Sequence, residues 1–174
     1  MSFSPIPHFS FGSVMDISPG FLNELGVRFL MLDLDNTLAG YSDPMPSDDV
    51  VKWAENMASC GVKLFIVSNN RLRKRPESFA KAMSVGYVKS ARKPSPVGLL
   101  LAMKTAGFEK SESALAGDQV YTDALAANRA GILSIIVRPR SLKNPLFALR
   151  YALELPFRTI TRNLTRRPER VVRS

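Results

Sequence analysis

Four apolar residues, Phe29-Leu30-Met31-Leu32, run without a turn into Asp33-Leu34-Asp35-Asn36-Thr37. An uninterrupted apolar run of this length marks a strand buried on both faces, as in a parallel sheet covered by helices. The acids then fall at its carboxyl end, where open α/β sheets build their sites. Two carboxylates two residues apart are costly to hold at such a place. A divalent cation would relieve their repulsion, and hard cations take oxygen ligands. The competing reading is a plain turn, which Asp and Asn favour. This stretch alone leaves both open.

The rest of the chain alternates strand and helix signals. Strand-like runs lie at 28–34, 62–67, 87–88, 113–116 and 132–137. Helical patterns lie between them at 47–61, 76–85, 95–107 and 122–129. Ser47-Asp48-Asp49 offers short acceptors and acids to a helix start, Pro96 suits a first helical turn, and Gly61, Gly107 and Gly131 mark stops. This order implies an α/β fold, a Rossmann-like three-layer parallel sheet with helices on both faces. The expected domains are a lead-in over 1–27 with a short helix at 21–25, a core over 28–137, and a basic C-terminal segment over 138–174. About thirty residues separate Thr37 from Ser68, and a helix and a strand already occupy them. The stretch from Ser68 to Lys93 is similarly short. No large cap domain fits in either place, so the carboxyl ends of the strands should be open.

Further polar residues fall where a site at those ends would need them. Ser68-Asn69-Asn70 follows the second strand, Lys93-Pro94 comes next, and Gly117-Asp118 through Asp123 follows the fourth. Singly, each has an ordinary reading: a turn, a solvated lysine beside Lys89 and Arg92, a loop, a helix-start acid. As an ordered set they resemble the four motifs of the haloacid-dehalogenase (HAD) superfamily of phosphohydrolases over roughly 28–137. DxDxT is Asp33 through Thr37, the strand-end Ser or Thr is Ser68, the lysine is Lys93, and GDxxxxD is Gly117-Asp118 through Asp123. More narrowly, DLDNTL, SNN, KP and GDQxxTD resemble the YqeG-type subfamily, which is related to mitochondrial phosphatidylglycerophosphate phosphatase.

The resemblance implies a mechanism. Asp33 would be the nucleophile, forming an aspartyl-phosphate. Asp35 would protonate the leaving alkoxide and then deprotonate water. Mg²⁺ would be held by the carboxylates of Asp33 and Asp118 and the backbone carbonyl of Asp35. Ser68, with Asn69, would donate to the phosphoryl oxygens, and Lys93 would set a positive charge beside Asp33 and the phosphate. Thr37 would order the loop, and Asp123 would fix a ligand or Lys93 from behind. The open site suits a large or surface-presented phosphate ester.

Composition bounds the rest. One cysteine, Cys60, excludes an intramolecular disulfide and is expected to be packed; the lone His8 has no partner for metal binding. No segment reaches the roughly 18 uninterrupted apolar residues of a membrane span, and no signal peptide is evident, so a cytoplasmic protein is expected. Charge is lopsided. After Val137, ten Arg and Lys side chains against two Glu carry +8 of the chain's +9. Residues 145–157 add bulky apolar residues at near-helical spacing. One reading is an interfacial segment on anionic lipid at the inner membrane face, which fits a lipid phosphate. Another is a helix packed on the core. A third is a basic arm binding RNA or the ribosome, although aromatic interleaving is sparse. A soluble nucleotide or sugar-phosphate phosphatase, with the tail irrelevant, is the remaining alternative. Residues 158–174 contain no expected catalytic residue, so their removal is expected to leave hydrolysis of a small phosphate unchanged.

Overall fold

The computed structural model describes residues 4–70, 74–88 and 90–165, with side chains through residue 160. In chain order the strands and helices are β1 (Phe9–Phe11), α1 (Pro19–Glu24), β2 (Phe29–Leu32), α2 (Asp48–Ser59), β3 (Lys63–Val67), α3 (Lys74–Ala82), β4 (Gly86–Val88), α4 (Val97–Ala106), β5 (Ser113–Gly117), α5 (Leu125–Ala130), β6 (Leu133–Val137) and α6 (Pro145–Thr165). The six strands form one sheet in the order β1-β6-β5-β2-β3-β4. Every pairing is parallel. The α/β expectation therefore holds, and between β2 and β3 the chain carries only a loop and α2.

The alternation of side chains along the strands splits the interior into two layers. Leu30, Leu32, Leu64 and Ile66 face Leu22 of α1, Val50, Trp53 and Met57 of α2, and Phe79 of α3. Phe29, Met31, Phe65, Val67 and Leu115 face Leu99 and Met103 of α4 and Ala126 and Ala127 of α5. All four residues of β2 are buried, which is why the strand reads as a continuous apolar run. Gly98 lets α4 approach closely: a Cβ there would lie 2.7 Å from the Ala91 backbone.

Two sequence expectations change. The lead-in is not merely a lead-in: Phe9-Ser10-Phe11 pairs with Ile135 to Val137 as an edge strand. His8 has a structural role there, its Nδ1 lying 2.8 Å from Ser134 Oγ. Cys60 is exposed rather than packed, because it caps α2 at the surface. The end of the basic C-terminal segment, 166–174, lies outside the described residues.

Candidate active site

The connections leave β2 toward β3 and β4 on one side, and return through β5 and β6 on the other. The carboxyl ends of β2 and β5 thus form the topological switch point, where parallel sheets open a crevice. Asp33 stands there as the first residue past β2, its N–H donating to the Ala116 carbonyl at 2.9 Å. The chain then reverses through Asn36, which takes a left-handed φ of 64°, a conformation that Asn tolerates better than most residues. The Asn36 N–H donates to the Ala39 carbonyl, and its carboxamide donates to the Ser141 carbonyl at 3.1 Å.

Lys93 closes the centre. Its buried Nζ lies 2.6 Å from Asp33 Oδ1 and 2.7 Å from Asp123 Oδ1. Asn69 fixes its backbone from both sides: Lys93 N–H donates to Asn69 Oδ1 at 2.8 Å, and Asn69 Nδ2 donates to the Lys93 carbonyl at 2.9 Å. Asp123 Oδ2 accepts from the Gln119 N–H at 3.0 Å. Gly117 makes room for this arrangement, since a Cβ there would sit 2.3 Å from Asp123 Cγ. Asp123 itself is carried on a π-helical turn, Val120–Ala124, that leads into α5.

Asp118 is buried beside them, and neither of its carboxylate oxygens has a hydrogen-bond partner; the same is true of Asp33 Oδ2. Arg150 of α6 lies 3.8 Å from Asp118 Oδ2. Oxygens of Asp33, Asp118 and Asp123 lie within 4.8 Å of one another. Both oxygens of Asp123 are already engaged by Lys93 and Gln119. A cation would therefore draw on Asp33 Oδ2 and Asp118, an all-oxygen donor set of the kind hard divalent ions take.

The electrostatics follow from this crowding. Burial pushes the Asp33 carboxyl up to about 6, with Lys93 working against it. Burial, then the Asp33 charge, drives Asp118 well above the ordinary carboxylate range. Burial alone would lower Lys93, but Asp123 and Asp33 outweigh it and hold the ammonium above its ordinary value.

Asp35 is set apart. Its carboxylate pairs with the Arg75 guanidinium and accepts from Asn70 Nδ2 at 3.3 Å. Arg75 also donates to the Gly40 carbonyl and, at 3.0 Å, to the Asp43 carbonyl, so it ties α3 to the loop that follows β2. A cavity of about 230 Å³ opens over this ground, lined by Asp33, Asp35, Tyr41, Asn69, Asn70, Lys93, Gln119 and Thr122. Ser68 is buried beneath it, with its Oγ accepting from Asn70 N–H at 3.0 Å. Thr37 is buried, with a hydroxyl that has no hydrogen-bond partner. A larger hollow of about 780 Å³, bordered by His8, Leu25, Ser111 and Leu133, lies at the amino ends of the strands, away from these acids.

Sequence reasoning missed four residues near the site: Tyr41, Arg75, Arg150 and Arg158. The last two come from α6. Arg158 is buried, pairs with Glu154 at 2.9 Å, and donates to the carbonyls of Val137 and of Asp118. Arg158 therefore touches the site, a contact that the expectation of dispensable residues 158–174 did not take into account. None of these arginines carries a local signal, because only the tertiary fold brings them to the acids.

Residues 90–140 match a family model described as HAD-hydrolase-like. Over 127 residues the chain is 34% identical to the probable phosphatase YqeG of Bacillus subtilis (strain 168), covering 73% of each chain. The chain belongs to the YqeG-type HAD phosphatases. Similar folds include an uncharacterised protein from Listeria monocytogenes serotype 4b, with a TM-score of 0.52, 19% identity, and 69% of this chain and 80% of that one covered. The 3-deoxy-D-manno-octulosonate 8-phosphate phosphatase from Yersinia pestis matches with a TM-score of 0.51 and 15% identity, over 79% and 85% of the two chains. For a HAD phosphatase the substrate is a phosphate ester, and the carboxyl ends of β2 and β5 are where this chain gathers its buried acids.

Proposed function

We propose that this phosphatase hydrolyses phosphomonoesters in two half-reactions centred on Asp33, with Mg²⁺ held by Asp33 Oδ2, Asp118 and the Asp35 backbone carbonyl. The observation that carries this reading is the pairing of Asp33 Oδ1 with Lys93 while Asp33 Oδ2 and both Asp118 oxygens are left without hydrogen-bond partners. Lys93 keeps Asp33 ionised despite its burial, as a nucleophile requires. Asp33 attacks phosphorus, the bond to the ester oxygen breaks, and Asp35 gives that oxygen a proton. In the second half-reaction water attacks phosphorus, Asp35 takes the water's proton, and Asp33 leaves with the electrons of its bond to phosphorus, regenerating the carboxylate. Bound Mg²⁺ supplies positive charge that lets an anionic carboxylate approach an anionic ester.

In this reading Asp123 acts through Lys93, Asn69 acts by locating the Lys93 backbone, and Ser68 sets the turn that presents Asn69 and Asn70. The shallow cavity and the short segments around the site favour an ester whose bulk remains outside, and a lipid-borne phosphate such as phosphatidylglycerophosphate fits that requirement. The test is hydrolysis of an aryl phosphate with and without Mg²⁺, then of a panel holding phosphatidylglycerophosphate, nucleotides and sugar phosphates. Asp33→Asn should lose at least about a thousandfold in kcat while remaining folded. Near wild-type turnover by that variant, or full wild-type activity in excess chelator, would refute the mechanism. Preference for nucleotides over the lipid phosphate would overturn the substrate assignment alone.

A further inference from the structure

Helix α6 is amphipathic in the opposite sense to most surface helices. Between Pro145 and Ile160 its charged side chains are Arg150, Glu154 and Arg158. Glu154 and Arg158 are buried, and Arg150 approaches Asp118. The spacing of four residues stacks all three on the inner side of the helix. Over Pro145–Ile160 the outer side carries no charge. Leu146, Leu149, Leu153 and Ile160 fall at intervals of three, four and seven residues and are 73%, 60%, 61% and 44% exposed. An uncharged apolar face of this kind on an otherwise ordinary surface marks a contact with something apolar.

Its flanks say what that something is. Arg138, Arg140 and Lys143 are exposed just before the helix. In the sequence, Arg162 falls in the last turn of the helix, and Arg166, Arg167, Arg170 and Arg173 follow it against a single Glu169. A leucine face bracketed by cations matches the boundary of an anionic bilayer, where acyl chains take the apolar side chains and headgroups take the arginines. A second copy fits poorly, since pairing the faces would bring two segments of +8 together. We infer that the outer face of α6 docks on an anionic lipid surface. The helix also borders the mouth of the site, for Phe147 stacks on Tyr41 at 4.8 Å between ring centroids. Docking would hold that mouth close to the surface. The packed helix and the interfacial segment, which the sequence offers as alternatives, are in this inference two sides of one element. The inference stands whether or not the catalytic mechanism above is correct.

The test is co-sedimentation of the full chain with phosphatidylcholine vesicles and with equimolar phosphatidylcholine–phosphatidylglycerol vesicles. The wild-type protein should bind the anionic vesicles, release with rising salt, and ignore the neutral ones. Leu149→Asp with Leu153→Asp should lower partitioning at least about tenfold, with an unchanged melting temperature and unchanged hydrolysis of an aryl phosphate. Should the acidic pair disturb folding, Leu149→Ser with Leu153→Ser should give the same direction with a smaller loss. Absence of wild-type binding would overturn the inference. So would binding that survives both sets of substitutions, which would assign it to the basic tail alone. A wild-type dimer that the substitutions dissolve, without vesicle binding, would assign the face to a second copy instead.

Discussion

Asp33 is under two opposing demands. Burial favours its neutral form, while attack on phosphorus requires the carboxylate. Its pKa lies at about 6, against an ordinary 3.8. A group raised in this way stabilises the fold fully at pH below its unfolded value and loses that contribution as pH climbs through about 6. Metal-free protein is therefore less stable at neutral pH than at acid pH on account of its own nucleophile. Asp33→Asn should melt higher than wild type at about pH 8 without metal, and the gap should close toward about pH 5. Scanning fluorimetry of both proteins across that range checks it, and a gap that ignores pH would mean that Lys93 fully offsets the burial. Gly117 is the second residue whose identity is forced. In Gly117→Ala the new methyl would meet Asp123 at 2.3 Å, so the carboxylate must leave Lys93 or the backbone must shift. Such overpacking costs about 1–3 kcal/mol, and kcat should fall with little change in KM, because the residue touches no substrate.

Among the elements, α6 is the one whose role depends most on a buried pair. Arg158 bonds Glu154, and it reaches the carbonyls of Val137 and Asp118, which locks the helix to the end of β6 and to the loop after β5. Removing one partner of a buried pair strands the other, at about 3–5 kcal/mol. Arg158→Met should lower the unfolding free energy by that amount, seen as a fall in the urea midpoint at an unchanged m-value, and adding Glu154→Leu should restore much of it. If the double variant is no more stable than the single one, the carbonyl contacts rather than the ion pair hold the helix. The sequence shows why some elements were legible and this one was not. Strands β2, β3, β5 and β6 announce themselves because both of their faces are buried, and Gly107 and Gly131 end their helices in the left-handed conformation that the stop signals imply. Edge strand β1 is three residues beside prolines, and only its register with β6 defines it. For α6 the apolar period is plain, but the inner side mixes Phe157 with the charged Glu154 and Arg158, while Leu146, Leu149 and Leu153 face outward. Patterning logic assigns apolar side chains inward and so points the helix the wrong way.

At the scale of the whole molecule, the ordered motifs could be found from sequence because a parallel sheet delivers them to one edge: Asp33 after β2, Ser68 after β3 and Asp118 after β5 all leave the carboxyl ends of neighbouring strands. The arginines that surround them arrive from α3 and α6, on connections whose length and direction no motif records. The basic tail joins the site at one point and leaves it at another. Arg150 and Arg158 belong to the site's surroundings, whereas residues 166–174 add charge beyond the described part of α6. Two truncations separate these contributions. Ending the chain after Thr165 should leave the melting temperature and aryl-phosphate hydrolysis close to those of the full chain. Ending it after Phe157 removes Arg158, strands Glu154 and frees the Asp118 loop, so the melting temperature should drop and hydrolysis should fall at least about tenfold. Parallel thermal scans and initial rates decide the matter. Equal behaviour of the two truncations would show that α6 does not hold Asp118 in place, and that the acids are organised by the sheet alone.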